Sequence, residues 1–213
     1  MERDTETDNL NTDSDMRTIT RTYDLFQLAE LSAVARETAY SEWLHTFEYG
    51  WNSENRNTLD AFESVFNIKV NDWSYDTCRY SYRFTSHYSG EEEQLNGIRL
   101  LKYIVNNYWH ILFKPKTYYL KGDYKKRRKS RVFTDNCCVL TGYCADEDIL
   151  KPIYDFLKAP DTRTTLYDLM DKCLDSFFKS CRDDMEYQCS EESFEESCAA
   201  NDYEFLENGK MYN

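Results

Sequence analysis

The sequence predicts a helix-rich α+β protein with a small antiparallel sheet. Long stretches place apolar residues at helical intervals, and shorter stretches alternate apolar with polar residues as strands do. The chain contains only 6 Gly and 3 Pro, which favours long elements, and its 18 Tyr, 12 Phe and 4 Trp indicate an aromatic core. We expect a single domain over residues 17–213, or two lobes, 17–120 and 132–213, joined by a basic hairpin or loop at 121–131.

The N-terminal region changes from a polar tail to regular structure near residue 17. Residues 1–16 are acidic and nearly devoid of large apolar side chains, so we expect them to be disordered. Residues 17–23 alternate and predict a short strand. Asp24 and Gln27 have the spacing of a capping box, which predicts a helix or helix pair after them. Its apolar positions are Leu28, Leu31, Ala35, Ala39, Trp43 and Phe47.

The next part of the chain predicts a helix, two paired strands and a long central helix. Asn57 is the predicted N-cap of a helix that buries Leu59, Phe62 and Phe66. Alternation over residues 68–75 and 80–84 predicts the two strands. Helical spacing returns over residues 91–113. The apolar face expected there consists of Ile98, Leu101, Ile104, Val105, Tyr108, Ile111 and Leu112.

The C-terminal part predicts three more helices and a hairpin. One helix begins with the acidic residues at Asp146, whose charge suits a helix N-terminus. Thr165 and Asp168 form a capping box for a second helix, and Ser190 is the predicted N-cap of a third. The Asn-Gly pair at 208–209 favours a tight primed turn, so we expect the chain to end in a small hairpin.

The formal charge of −13 is concentrated at the two ends of the chain. Residues 1–16 carry six acids and one base, residues 182–213 carry ten acids and two bases, and residues 17–181 hold 23 of each. Such single-sign ends favour a basic partner surface, or serve only to keep the protein soluble. The acidic residues that we expect to bind a partner are Asp183, Asp184, Glu186, Glu191, Glu192, Glu195 and Glu196.

One stretch within the neutral segment is strongly basic. Residues 121–131 follow a predicted strand at 117–120 and carry seven positive charges and one negative. Three interpretations remain open: a nucleic-acid-binding surface, an exposed lysine-rich hairpin tip, or a segment that docks on an acidic end of this chain or of a second copy. The residues expected to contact nucleic acid in the first case are Lys121, Lys125, Lys126, Arg127, Arg128, Lys129 and Arg131.

Few local patterns in the sequence indicate catalysis or metal binding. The eight cysteines include no C-x-x-C pair, and the three histidines lie far from them in sequence. Phosphate-binding loops, the nucleophile elbow and the zinc-peptidase signature are absent from the sequence. We therefore expect reduced cysteines, no cofactor, no metal site and no enzymatic activity.

Two clusters are candidate exceptions. Cys137 and Cys138 could supply a thiolate if a base such as His110 lay within hydrogen-bond reach, but buried strand cysteines are far commoner. The acidic triplet 146–148 resembles part of a cation site, yet neighbouring residues of a helix diverge by about 100°. We expect both clusters to be structural.

Two segments resemble a known group of proteins. Residues 23–39, YDLFQLAELSAVARETA, are similar to the opening Y-x-F-x-E-L-S-E-x-A-x-x-x-A of small proteins from phages and mobile elements of gut bacteria, with Gln-Leu-Ala inserted. Residues 201–210, NDYEFLENGK, are similar to the ending N-x-Y-x-F-T-x-D-G-K of the same group. Members are commonly labelled antitoxins. The resemblance covers about 27 of 213 residues and implies a mobile-element origin, without catalytic residues to transfer.

These observations predict a binding protein of the bacterial cytoplasm. The sequence has no apolar run of membrane-spanning length and does not begin like a signal peptide, so no membrane is expected. The leading hypothesis is a phage- or mobile-element-encoded inhibitor of a bacterial defence protein, most concretely an anti-CRISPR protein that blocks a nuclease through acidic charge complementarity. The alternatives are an antitoxin that neutralises a toxin and a nucleic-acid-binding protein that uses residues 121–131.

Overall fold

The computed structural model describes residues 19–113, 117–120, 123–129 and 138–212, and only the backbone of the two strands between 117 and 129. Over these residues the chain forms seven α-helices and two antiparallel two-stranded sheets, which confirms the helix-rich α+β class. No described helix is both long and apolar enough to cross a lipid bilayer. The tail predicted over residues 1–16 lies outside the described residues.

The chain divides into two compact units, a smaller one of residues 1–48 with 187–213 and a larger one of residues 49–186. The two ends of the chain thus share one unit. They are joined by an antiparallel bridge in which the N–H groups of Phe26 and Phe205 each donate to the other's carbonyl at 2.9 Å. The lobes considered from the sequence follow other boundaries, because sequence order does not reveal this long-range pairing.

The smaller unit contains a 3₁₀ turn (Leu28–Glu30), helix α1 (Ala33–Thr46) and the last helix of the chain, α7 (Glu191–Asn201). Its core joins the apolar positions of all three elements with Phe205. The buried members are Leu28, Leu31, Ala35, Ala39, Phe194, Cys198 and Phe205. Four of them were predicted from the helical spacing after residue 27, and the predicted N-cap Ser190 accepts the Ser193 N–H at 3.2 Å.

The strand predicted over residues 17–23 is wrong for the residues described. Residues 19–27 contain only isolated bridge positions, at Thr22 and Phe26. Neither position extends into a run of paired residues, so the described part of the predicted strand has no continuous ladder of hydrogen bonds.

The cap predicted at Asp24 is also wrong, because the chain caps two elements further along. Gln27 and Glu30 form the capping box of the 3₁₀ turn, with the Gln27 N–H donating to Glu30 Oε2 at 2.8 Å. Ser32 then caps α1 by accepting the Ala35 N–H at 3.3 Å. The polar residues at 27, 30 and 32 compete with Asp24 as caps, and the bridge at Phe26 keeps the chain extended before them.

The C-terminal turn forms at the predicted place but is of another type. The Gly209 N–H donates to the Leu206 carbonyl at 2.9 Å, and the Leu206 N–H donates to the Lys210 carbonyl at 2.8 Å. Gly209 has φ +87° whereas Asn208 is not among the described residues with positive φ, so the turn has one left-handed residue instead of the two of a type I′ turn. A Cβ at Gly209 would lie 2.0 Å from the Ala35 carbonyl oxygen, so only glycine allows this turn to pack on α1.

The larger unit consists of α2 (Asn52–Phe66), β1 (Ile68–Tyr75), β2 (Tyr80–Ser86), α3 (Gly90–Glu93), α4 (Gly97–Leu112), β3 (Thr117–Leu120), β4 (Asp123–Lys129), α5 (Ala145–Lys158) and most of α6 (Leu166–Gln188). Its core includes the fully buried rings of Phe62, Phe66 and Phe178. Helix α2 begins five residues before the predicted cap Asn57, yet it buries the predicted Leu59, Phe62 and Phe66.

Strands β1 and β2 form the predicted antiparallel pair, with a bulge between Val70 and Asp72. One face of β2 packs against α6, where the Tyr82 ring stacks on Phe178 with centroids 5.2 Å apart. The hydroxyls of Tyr80 and Tyr82 donate to carboxylates of α6 at 2.8 Å and 3.0 Å. These aromatic side chains therefore fix the sheet to the helix.

The central helix predicted over residues 91–113 is broken near Asn96. Gly97 adopts φ +52° and its N–H donates to the Asp161 carbonyl at 3.1 Å, which separates α3 from α4. Helix α4 buries Leu100, Ile104, Tyr108 and Leu112, but Ile98 is 59% exposed and Val105 is 36% exposed. The prediction that Ile98 and Val105 face inward is wrong, because the core covers a narrower stripe of α4 than the apolar residues could fill.

Hydrogen bonds link α5 to α6 where a proline interrupts the hydrogen bonding within α5. Pro152 lacks an N–H, so the Asp148 carbonyl one turn earlier has no donor within α5. The Ser176 hydroxyl of α6 donates to that carbonyl at 2.8 Å, and the Ser180 hydroxyl donates to Asp148 Oδ2 at 2.7 Å. The predicted capping box of α6 is confirmed by paired bonds between Thr165 and Asp168.

Candidate functional site

The predicted acidic residues of α6 are mostly bonded within the larger unit. Asp183 Oδ2 accepts from Lys179 Nζ at 2.5 Å, and its other oxygen pairs with Arg182. Asp184 Oδ2 accepts the Tyr49 hydroxyl at 2.5 Å, and burial together with this bond raises the pKa of that hydroxyl. Of these three residues only Glu186 is exposed, and the other two are half-buried. Asp183 and Asp184 therefore have structural partners and offer little free charge.

The predicted acidic residues of α7 are all exposed. Glu191 and Glu192 occupy the first turn, where they favour the helix dipole, and Glu195 and Glu196 lie on the next turn. Glu195 Oε1 pairs with the Arg36 guanidinium of α1 at 2.7 Å, and Glu196 accepts the Tyr187 hydroxyl at 3.0 Å. Within the described residues, no ion pair involves the other two carboxylates of α7.

The net charge separates by structural unit. Residues 49–186 contain 21 acids and 21 bases and are neutral, so the remaining 18 acids and five bases of the smaller unit carry the whole −13. The part of the smaller unit that is described, residues 19–48 and 187–212, holds 12 acids and three bases, a charge of −9. The acidic end predicted from the sequence is thus one part of an acidic unit built from both ends.

Sequence reasoning missed the contribution of α1 to this surface. Glu37 is exposed on α1, and Arg36 and Tyr40 lie beside α7. The Tyr40 hydroxyl donates to the Cys189 carbonyl at 2.6 Å, and burial together with the charge of Glu191 raises its pKa. Residues 17–48 carry two more acids than bases, but this weak signal disappears in a count over the whole segment 17–181.

The described part of the basic stretch, residues 123–129, forms one strand of an antiparallel pair. Lys125, Lys126, Arg127, Arg128 and Lys129 lie on β4, whose register with β3 places Arg127 opposite Tyr119 and Arg128 opposite Tyr118. Lys121 and Arg131 lie outside the described residues. The predicted strand at 117–120 is confirmed as β3.

The described cysteines do not form a reactive cluster. Cys78, Cys144, Cys173, Cys181, Cys189 and Cys198 are free thiols, whereas Cys138 is half-buried and Cys137 lies outside the described residues. Burial raises the pKa of Cys181 to about 12 and that of Cys198 to about 11, so both remain thiols at neutral pH. Cys173 and Cys181 are buried in the core of the larger unit.

The acidic triplet 146–148 is structural, as predicted. Asp146 is fully buried, and its Oδ2 accepts backbone N–H groups of Leu140, Thr141 and Gly142 at 2.7–3.1 Å. Its Oδ1 accepts the hydroxyls of Thr141 and Thr58 at 2.8 Å and 3.2 Å. Protein donors thus occupy the carboxylate, and the described residues include no group of three His, Cys, Asp or Glu side chains that could hold a metal ion.

The two segments that carry the family resemblance lie in the smaller unit, where several of their residues have structural roles. Ser32 caps α1, and Ala35 is buried beneath Gly209. Phe26 and Phe205 form the bridge that joins the two ends. In comparisons with known proteins, no family model, no curated protein and no solved structure matches this chain.

Proposed function

We propose that this protein is an inhibitor that uses its acidic unit to bind a basic surface of another protein. The observation that carries the proposal is the separation of charge, because a neutral unit of 138 residues (49–186) adjoins in sequence a unit with the whole charge of −13. Charge of one sign confined to one unit raises the rate of encounter with an oppositely charged surface and rejects surfaces of the same sign.

The partner that this charge fits is a bacterial protein with a basic groove for nucleic acid. The most concrete version is a CRISPR effector nuclease, whose guide–target duplex lies in a positively charged channel. The smaller unit would occupy such a channel through carboxylates in place of phosphates. The family resemblance of the two end segments supports a phage or mobile-element setting in the bacterial cytoplasm.

The test is a charge reversal on α7 that leaves the core of the smaller unit intact. Deleting residues 182–213 is unsuitable, because this range supplies Phe194, Cys198 and Phe205 to the core. The exposed residues Glu191, Glu192 and Glu196 are instead changed together to Lys. Cells that carry this triple variant and an active CRISPR system should again restrict a targeted phage, whereas cells with the unchanged protein should allow it to form plaques.

A matched control reverses three exposed acids of the neutral unit, Asp60, Glu91 and Glu147, which changes the total charge equally. This control should inhibit like the unchanged protein. Equal loss in both triple variants would show that total charge matters and would contradict the assignment to the acidic unit. Loss only on replacing Lys125 to Lys129 by Ser would favour the nucleic-acid-binding alternative.

A further inference from the structure

A groove of about 480 Å³ lies on the smaller unit between α1 and α7. Its floor is apolar, formed by Leu28, Ala33, Phe194 and the ring of Tyr40. Phe194 and Leu28 are 2% and 9% exposed, and the rings of Tyr40 and Phe194 lie 5.7 Å apart. This floor is continuous with the core of the unit, so its shape is held by the packing of both helices.

The rim of the groove is acidic. Glu37 of α1 and Glu191 and Glu195 of α7 line it together with one base, Arg36. Arg36 already pairs with Glu195 at 2.7 Å, and the described residues contain no ion pair of Glu37 or Glu191. Glu191 and Tyr40 both line the groove. Two carboxylates thus remain beside an apolar floor and an aromatic ring.

We propose that this groove binds an arginine side chain of a partner protein, together with an apolar residue next to it. Arginine fits because its alkyl stem can lie on an apolar floor while its guanidinium meets carboxylates and the face of a tyrosine. The apolar neighbour would cover Ala33, the exposed apolar residue of the floor. This inference rests on the proposed function and names the residue class by which the acidic unit recognises its partner.

Arg36 acts in this arrangement as an internal competitor for the groove. Its guanidinium occupies Glu195, the third carboxylate of the rim, and both side chains are about half exposed, so the pair is weak enough to exchange. An incoming arginine can therefore form ion pairs with Glu37 and Glu191 while Arg36 stays in place, or it can replace Arg36 as the partner of Glu195.

The experiment measures binding of the full-length protein to the fluorescein-labelled peptide Arg-Leu-Arg-Leu-Arg by fluorescence anisotropy at low ionic strength. Gln-Leu-Gln-Leu-Gln serves as the neutral peptide. Glu37→Lys should weaken binding at least about tenfold, whereas Glu42→Lys, an equal charge change on another face of the same helix, should weaken it less than about threefold. Equal effects of both variants would overturn the groove, because only the general field of the unit would then matter.

A second variant changes binding in the opposite direction. Arg36→Gln removes the internal competitor and should strengthen peptide binding about two- to fivefold, a gain that damage to the fold cannot produce. Weaker or unchanged binding of Arg36→Gln would also overturn the proposal. If the groove variants behave as expected but CRISPR interference persists with the unchanged protein, the proposed inhibition fails while the arginine site stands.

Discussion

Replacing Gly209 by Ala tests how the two ends of the chain are held together. The new Cβ would lie 2.0 Å from the Ala35 carbonyl oxygen, whereas ordinary contacts begin near 3.4 Å, so the turn must move away from α1. The positive φ of +87° adds strain of about 1–2 kcal/mol, and overpacking against a rigid helix backbone adds about 1–3 kcal/mol. We therefore expect Gly209→Ala to destabilise the smaller unit by about 2–5 kcal/mol.

The matched control is Gly142→Ala, which shares a positive φ of +96° but has open space around the new Cβ. Gly142→Ala should lower the free energy of unfolding by the backbone strain alone, about 1–2 kcal/mol. Native-state hydrogen exchange followed by mass spectrometry measures the stability of both variants. Amides of α1 and α7 should exchange at least about 20-fold faster in Gly209→Ala than in the unchanged protein. If exchange in these helices stays unchanged in Gly209→Ala, the packing of the turn on α1 is misjudged.

Three further substitutions test the larger unit. Asp146→Asn places an amide among five donors and should cost about 3 kcal/mol in urea unfolding, while the exposed neighbour Glu147→Gln should change stability by less than about 0.5 kcal/mol. Ser176→Ala should lower the free energy of unfolding by about 1–2 kcal/mol. The loss should be clearly smaller in a Pro152→Ala background, because α5 then regains the N–H that bonds the Asp148 carbonyl. A double-mutant cycle that shows no coupling between the two positions would contradict this bond. Hydrogen bonds from backbone N–H groups lower the pKa of Asp161 to about 2, below its ordinary value of 3.8, so its contribution is present above pH 4 and is lost as the pH falls towards 2. Asp161→Asn should flatten the fall in stability over that window, and an unchanged acid limb in thermal denaturation would argue against it.

Most elements with local signals were predictable from the sequence, although the caps predicted at Asp24 and Asn57 lie elsewhere in the structure. The structure contains the capping box at Thr165, the N-cap at Ser190 and the paired strands β1 and β2. Each of these signals depends only on residues close by in the sequence. Elements that depend on distant partners were not predictable. The break at Gly97 is accompanied by a hydrogen bond to the Asp161 carbonyl, and the bridge at Phe26 has its partner Phe205 at the other end of the chain.

The candidate site, like the fold, was only partly predictable from the sequence. Exposed glutamates of α7 follow from its sequence pattern, since its apolar positions are few and widely spaced. The structural role of Asp183 and Asp184 could not be predicted from the sequence, because their contacts with Lys179 and Tyr49 form only when the side chains pack. Charge along a sequence does not reveal which carboxylates are already compensated in the fold.

The sequence by itself determined the composition, the helix-rich class and the acidity of both chain ends, because these depend on residue types and short spacings. Only the tertiary structure decided that the two ends form one unit and that the neutral segment forms another. The physical reason is the contact of Gly209 with Ala35 and the bridge between Phe26 and Phe205, which join residues more than 170 positions apart. That pairing brings α1 and α7 into one unit, where exposed carboxylates of both helices line a groove.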